Sequence, residues 1–308
     1  MALGNSPKLE SWAFYVLNAL VRAWIGRFVD DKSTAFYRYL DWAGGPEALR
    51  YGRTYFGAIM KCRLHDHIMA HVFFFNVWEP DLSHTIEAIL KPGDTFVDLG
   101  ANVGYDTLLA SKLVGAGGRV VAIEASSDIF AQFQANLALN RVANVRAVHV
   151  AVSDAAGELA LYGGDAGNQG RTSSLPREGL TPIETVPMLP LDAVLTAEER
   201  AAVRLIKMDI EGGELPVLQR LVETLELYPH DLHILVELSP DETTGPALTR
   251  VFDDLLACGF EAYTLENDYE VEWYFAWRRP GTPRRIHQMP TYHTDVHFRR
   301  ARTDPPPD

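Results

Sequence analysis

From residue 94 onward, short apolar runs alternate with stretches in which apolar residues recur every three or four positions. "TFVDLG" (95–100), "RVVAIE" (119–124), "NVRAVHVAVS" (144–153), "VRLIKMD" (203–209) and "HILVELS" (233–239) are nearly all apolar until a polar residue ends each. A strand with one wet face alternates, whereas a strand covered on both faces does not, so these runs predict a parallel sheet between helix layers. Ile129, Phe133 and Leu137 fall four apart, and Leu215, Leu218, Val222 and Leu225 three or four apart, which places helices between the strands. The alternation predicts a doubly wound α/β domain that binds its ligand beyond the carboxyl ends of the strands. Further on, "FEAYTLE" (260–266) and "VEWYFAWRR" (271–279), joined by "NDYE", predict an antiparallel hairpin at a sheet edge.

The flanks read differently. Residues 1–93 have a mostly helical pattern, broken at "DWAGGPE" (41–47), and are expected to form a cap or subdomain on a main domain at 94–280. Within the cap, Trp12, Val16, Ala19, Leu20, Ala23 and Trp24 recur at helical spacing over residues 11–29. This segment carries Arg22 and Arg27 and lacks a cleavage site and an unbroken span of about 20 apolar residues, so neither a signal peptide nor a membrane span is expected. This helix either packs on the domain or rests on a membrane surface or recruits a lipid-like substrate. Between the third and fourth strands lies an insertion, 154–202, rich in turn formers, in which "ELALYGG" and "PIETVPM" are expected to pair. Prolines at 280, 283 and 290 predict an irregular tail over 281–308.

Composition narrows the function. A net charge of −13 argues against a partner gripped through its phosphates, so no nucleic acid is expected. Two distant cysteines, Cys62 and Cys258, without metal-ligand spacing, read as reduced thiols in a cytoplasmic protein. The arginines of "RRPGTPRR" and "FRRAR" are expected to contact their own domain or a neighbouring subunit, which leaves room for a homodimer, with an anionic substrate or membrane surface as the alternative.

The candidate chemistry begins at "DTFVDLGANVG" (94–104). A dinucleotide fingerprint needs G-x-G-x-x-G, but counting from Gly100 the later glycine positions hold Asn102 and Tyr105. The turn is tight, yet Asp98 at its mouth would repel a pyrophosphate. Glu124 closes the second strand, roughly 20 residues after the turn, where a carboxylate accepts from ribose hydroxyls. Asp98 and Glu124 together favour a nucleoside carrying positive charge, and S-adenosylmethionine, with an ammonium, a sulfonium and no phosphate, fits better than a dinucleotide.

"VDLGANVGYDTLLAS" (97–111), "IEAS" (123–126), "VAVSDAAGE" (150–158) and "IKMDIEGGE" (206–214) resemble the FkbM family of S-adenosylmethionine-dependent methyltransferases. "VWEPDLSHTIEAILKPGD" (77–94) and "NQGRTSSL" (168–175) are similar to further family segments, so the resemblance runs from about 66 to 240. It implies a class I, Rossmann-like methyltransferase with a mostly parallel seven-stranded sheet whose last strand is antiparallel. It also implies methylation of a hydroxyl oxygen on a small-molecule acceptor such as a polyketide, sugar or glycolipid. Carried onto this chain, Asp98, Gly100, Asn102, Gly104, Glu124 and Ala125 would hold the cofactor, Ser153 and Asp154 would start the adenine-side turn or simply a plain turn, and Glu79 would close over the cofactor or cap a helix. N- or C-methylation on the same cofactor, and a scaffold that binds the nucleoside without chemistry, remain alternatives.

"MDIEGGE" places Asp209 and Glu211 at the mouth of the fourth strand, where either could take the proton of an acceptor alcohol. Glu214 reads as a carboxylate at a helix start. Glu237 ends the fifth strand and could contact substrate or pair structurally. Asp66 could close over the cofactor or cap a helix, and Asp81 is expected as the N-cap before "LSHTIEAIL". In "HDHIMAH", His67 and His71 lie four apart; ordinary packing, substrate contact by His67 and metal ligation are all open, but the following "VFFFNVW" is not metal-like and no metal is expected.

Overall fold

The computed structural model describes residues 6–45, 48–163, 172–173, 181–210 and 212–300. Helices α1 (Pro7–Phe28) and α2 (Lys32–Trp42) come first, with the Asp31 carboxylate accepting from the Thr34 amide at 2.9 Å to cap α2. α2 stops where Gly44 and Gly45 take positive φ, within the predicted break. An antiparallel hairpin, β1 (Leu49–Arg53) and β2 (Ile59–Arg63), then interrupts the stretch expected to be helical. α3 (His67–Phe75) and α4 (Pro80–Ile89) complete it, α3 being capped by Asp66, which accepts from the Met69 amide at 2.8 Å.

α1 faces the opposite way from its apolar stripe. The helix does pack on the domain, but through its other side: Ser11, Asn18 and Ile25 are buried and Phe14, Leu17 and Val21 pack beside them, whereas Trp12, Val16, Ala19, Leu20, Ala23 and Trp24 are exposed. The physical reason lies in α3, whose last carbonyls have no intrahelical partner. Asn18 donates to the Phe73 carbonyl, and Arg22, one turn on, donates to the Phe74 carbonyl and, at 2.7 Å, to Asn76 Oδ1. Tyr39 donates to Asn18 Oδ1 at 2.5 Å.

The main domain follows the predicted alternation: β3 (Thr95–Leu99), α5 (Tyr105–Val114), β4 (Arg119–Glu124), α6 (Ser127–Asn140) and β5 (Val145–His149). The third predicted strand divides at Val150, because β6 (Ala151–Ser153) leaves for a second sheet with β7 (Gly157–Gly163), β8 (Thr172–Ser173) and β9 (Thr181–Pro190). There β7 and β9 pair antiparallel, as "ELALYGG" and "PIETVPM" predict. Short helices α7 (Leu191–Val194) and α8 (Ala197–Ala202) lead into β10 (Val203–Met208), α9 (Glu214–Glu223), β11 (His233–Leu238), α10 (Gly245–Ala257) and β12 (Phe260–Thr264).

The hairpin expected after β12 does not form. Residues 271–276 are instead helix α11 (Val271–Ala276), because Val271, Tyr274 and Phe275 fall at helical spacing and bury against the α3 aromatics, Phe75 to Phe275 at 5.2 Å between ring centres. The antiparallel strand comes from the stretch expected to be irregular: β13 (Arg284–Ile286) and β14 (Thr294–Arg300), with prolines 280, 283 and 290 outside both. The sheet order is β13-β12-β14-β11-β10-β3-β4-β5, parallel from β11 to β5, with β14 antiparallel to both neighbours and β13 a short eighth strand at the edge. Arg285 and Arg299 of this edge pair with Glu261 at 2.9 and 3.4 Å, so these arginines do contact their own domain.

Side chains alternate across a sheet, and this parity positions the site. Val97, Leu99, Val121, Ile206 and Val236 belong to one apolar layer, whereas Phe96, Ala122, Leu205 and Leu235 join the other, shared with α1, α3 and α5. Asp98, Glu124, Lys207 and Glu237 are each two residues beyond a member of the second set. All four therefore fall on the face covered by the N-terminal helices.

Candidate active site

The glycine turn is shaped by its neighbours. Gly100 has φ +76°, and a Cβ there would stand 1.8 Å from the Asp209 carbonyl; at Gly104, with φ +91°, it would stand 2.5 Å from the Phe133 ring. Both positions demand glycine for packing against protein, whatever else approaches the turn. Asn102, at φ +49°, donates its amide to Glu124 Oε2 at 2.9 Å, while Glu124 Oε1 accepts from the Ser126 amide at 2.8 Å. Turn and second strand tip are thus tied through one buried carboxylate, which burial pushes up to about 7.

Strand register builds the centre. Lys207 sits opposite Asp98 across the β10–β3 pair, and its ammonium lies 3.9 Å from Asp98, 3.7 Å from Asp106 and 3.3 Å from Asp209. Asp98 is fully buried; one oxygen accepts from Thr107 at 2.5 Å and the other, Oδ1, lacks a hydrogen-bond donor. Burial raises Asp98, Asp209 and, to about 7, Asp106. Burial alone would lower Lys207, but Asp209, Asp98, Asp106 and Glu79 hold it well above its ordinary value. Glu79 is buried at the start of α4 with φ +41°, and burial with the surrounding carboxylates raises it strongly. A left-handed glutamate costs about 1–3 kcal/mol, so the fold holds this side chain in place against its backbone preference. Its amide accompanies it, donating to the Tyr274 hydroxyl at 3.1 Å.

A second acidic group adjoins the first. Glu237 and Asp295 are partners across β11–β14. Burial pushes Asp295 up to about 7, whereas in Glu237 burial is outweighed by His293 at 3.1 Å and by the Tyr269 hydroxyl, donating at 3.1 Å. Glu237 in turn raises His293, whose other ring nitrogen meets Ser239 Oγ at 2.5 Å. Tyr269 stacks on Trp78 at 5.5 Å, and Trp78 meets the His67 ring edge-on at 5.6 Å. The two residues expected to contact substrate, His67 and Glu237, are therefore joined by an aromatic wall.

Other expected residues fall elsewhere. Ser153 ends β6 and donates to Asp154 at 3.2 Å; among the described residues no hydrogen bond or ion pair ties either to the carboxylate cluster. The Ala125 carbonyl meets His149 Nε2 at 2.9 Å. Glu211 lies outside the described residues, as does most of 168–175. Glu214 is the expected helix-start carboxylate, accepting from the Ile210 and Gly212 amides at 3.1 and 3.2 Å. Asp81 is not an N-cap: that position is Glu79, and Asp81 accepts from Trp277 Nε1 at 2.8 Å and the Gly281 amide at 3.0 Å. His71 packs between Phe36, Phe75 and Trp78, and burial pushes it down to about 3.

Sequence reasoning missed Lys207, Asp106, Tyr269, His293 and Asp295. Lys207 carried a signal, since a lysine inside an otherwise apolar strand must find buried partners and two residues of spacing put it on the side of Asp209. The strand tips thus gather Glu79, Asp98, Asp106, Asp209, Glu237 and Asp295 around one lysine and one histidine. Carboxylates whose proton affinity burial raises, as it does for Glu79, Asp98, Asp106, Asp209 and Asp295, gain from a cation and lose from a phosphate. Asp98 Oδ1, which faces Lys207 but receives no hydrogen bond, and the Glu124 carboxylate are acceptors of the kind an ammonium or ribose hydroxyls need.

Comparison with known proteins bears on the family. The family description "Methyltransferase FkbM domain" matches residues 98–262. A 58-residue stretch is 34% identical to an arsenite methyltransferase of Halobacterium salinarum, covering 19% of this chain, and the match spans about 15% of the length of that curated relative. A solved methyltransferase FkbM from Methylobacillus flagellatus is 14% identical, with 90% of this chain and 62% of that one covered and a TM-score of 0.42. A SAM-dependent O-methyltransferase from Thermotoga maritima is 15% identical, with 86% and 82% covered and a TM-score of 0.41. These structural likenesses are distant, and the fold is defined by the chain's own strand order.

Proposed function

The chain belongs to the FkbM methyltransferase family, and from that premise we propose that it transfers the methyl group of S-adenosylmethionine to a hydroxyl oxygen of a small-molecule acceptor. The observation that carries the reading is the acidic rim at the strand tips, where burial raises several carboxylates in a way that a cationic nucleoside relieves. Bound S-adenosylmethionine supplies an electrophilic methyl on a sulfonium. Asp98, Gly100, Asn102 and Gly104 form the turn that cradles it, Glu124 and Ala125 hold the ribose side, and Ser153 and Asp154 serve the adenine. Glu79 closes the site from the cap formed by residues 1–93.

Asp209 takes the proton of the acceptor hydroxyl as its oxygen bonds to the methyl carbon. Its side chain is one third exposed, its raised affinity for a proton suits a base, and Lys207 stabilises the charge before transfer. Glu211 is the neighbouring candidate. His67, Trp78, Tyr269 and Glu237 wall the acceptor. A second reading assigns the proton to His293, favoured by its contacts with Glu237 on one ring nitrogen and Ser239 on the other.

Methyl transfer from labelled donor to matched hydroxyl and amine acceptors tests both levels. Product on hydroxyls alone supports the reading, product on amines alone replaces it with N-methylation, and no transfer to any acceptor favours a scaffold. With transfer in hand, Asp209→Asn and His293→Gln decide the base: the variant that binds donor normally but loses at least about a hundredfold in kcat identifies it.

A further inference from the structure

The outer face of α1 is unexplained by the methyl-transfer site. Leu9, Trp12, Val16, Leu20, Trp24 and Phe28 follow one another three or four residues apart along this 22-residue helix, and each is between 49% and 69% exposed. No described helix is long and apolar enough to cross a membrane. An unbroken apolar stripe with tryptophans and flanking cations is what an interfacial helix requires.

Charge indicates which surface. Residues 1–63 hold nine Lys or Arg and five Asp or Glu, in a chain whose net charge is −13. Lys8, Arg27 and Arg38 are exposed, the Arg53 guanidinium stands 5.8 Å from the Trp12 ring, and that of Arg27 stands 5.7 Å from Phe28. Beside the stripe runs a groove of about 880 Å³, with Ala19, Ala23, Val77 and Phe275 as apolar lining and the exposed Arg27 and Arg278 among its walls. Pairing two copies through α1 would set like charges against each other, whereas anionic lipid gains from them.

We propose that α1 is an interfacial helix that seats this protein on an anionic phospholipid bilayer, with the stripe in the acyl boundary and Arg27 and Arg278 on headgroup phosphates. The arrangement explains why Asn18 and Arg22 point inward: they anchor the helix so that its apolar side stays outward. It does not depend on which acceptor is methylated.

The test is flotation of the full chain with vesicles of phosphatidylcholine alone and with about 30% phosphatidylglycerol. Binding to the anionic vesicles, with a blue shift of tryptophan emission and release at about 0.5 M salt, is the expected result. Arg27→Ala and Arg278→Ala should each weaken partition by roughly fivefold. Leu20→Glu with Phe28→Glu should abolish it while circular dichroism and S-adenosylhomocysteine binding stay unchanged. Absence of binding to anionic vesicles overturns the proposal. So does a dimer by light scattering that Leu20→Glu dissociates, because a second copy would then cover the stripe.

Discussion

Strand β3 and helix α1 are both rich in apolar residues, yet they face opposite ways. In β3 every residue is buried and Asp98 is admitted to the interior because Thr107 and Lys207 meet it. In α1 the inward side sets the polar Asn18 and Arg22 beside Ile25, while Trp12, Leu20, Trp24 and Phe28 point to water. The difference lies in what each element must satisfy. Strand neighbours use up the backbone groups of β3, so its side chains only have to fill space. α1 lies against the open end of another helix, and the carbonyls there call for donors. Periodicity locates an element; the unpaired groups of its neighbour decide which side turns inward.

Perturbing the sheet should have the largest effect. Gly100→Ala puts a methyl group into the Asp209 carbonyl at positive φ, and we expect a loss of about 4 kcal/mol or more in urea unfolding, with loss of nucleoside binding. Lys207→Met removes the cation shared by Asp98, Asp106 and Asp209 and should cost about 3 kcal/mol near neutral pH, much of it recovered on acidification as those carboxylates protonate.

The parent protein should respond to pH in the same sense. Asp106, Glu124 and Asp295 titrate near about 7 when folded but in the ordinary carboxylate range, about 4, when unfolded. The folded state then holds more protons between these values, so this contribution is greatest below about pH 4 and declines as pH rises toward 7. Thermal melting of the unliganded protein across that window, with midpoints that rise with pH, would count against buried carboxylates.

On α1 the expected effects are smaller and opposite in kind. Asn18→Leu makes the helix more apolar yet leaves the Phe73 carbonyl and Tyr39 hydroxyl unpaired, and should destabilise by about 1–3 kcal/mol. Leu20→Ser and Phe28→Ser, which remove apolar groups from the stripe, should stay within about 0.5 kcal/mol of the parent by urea unfolding in the absence of lipid.

How far the fold was legible follows the same logic. Four of the five parallel strands were readable because burial on both faces leaves an apolar run, whereas the edge strand β5 is only half-buried, and Asp98, Glu124, Asp209 and Glu237 stand at or beside the ends of such runs. The final strand was not, since "TDVHFRR" alternates weakly while "VEWYFAWRR" carries four aromatic residues, and α11 shows that an aromatic-rich run says nothing about its period. His293 and Asp295 were missed along with that strand. Lys207 and Asp106 needed register, which pairs Lys207 with Asp98 and is not written in either segment alone.

The central claim is that acidic strand tips select a cationic nucleoside. Titration calorimetry at about pH 6.5 in buffers of differing ionisation enthalpy tests it directly, because a cation entering beside carboxylates near their folded pKa must displace protons. S-adenosylmethionine and S-adenosylhomocysteine should bind with net proton release, and NAD and ATP should not bind. Tight binding of NAD or ATP, with none of either adenosyl compound, would contradict it.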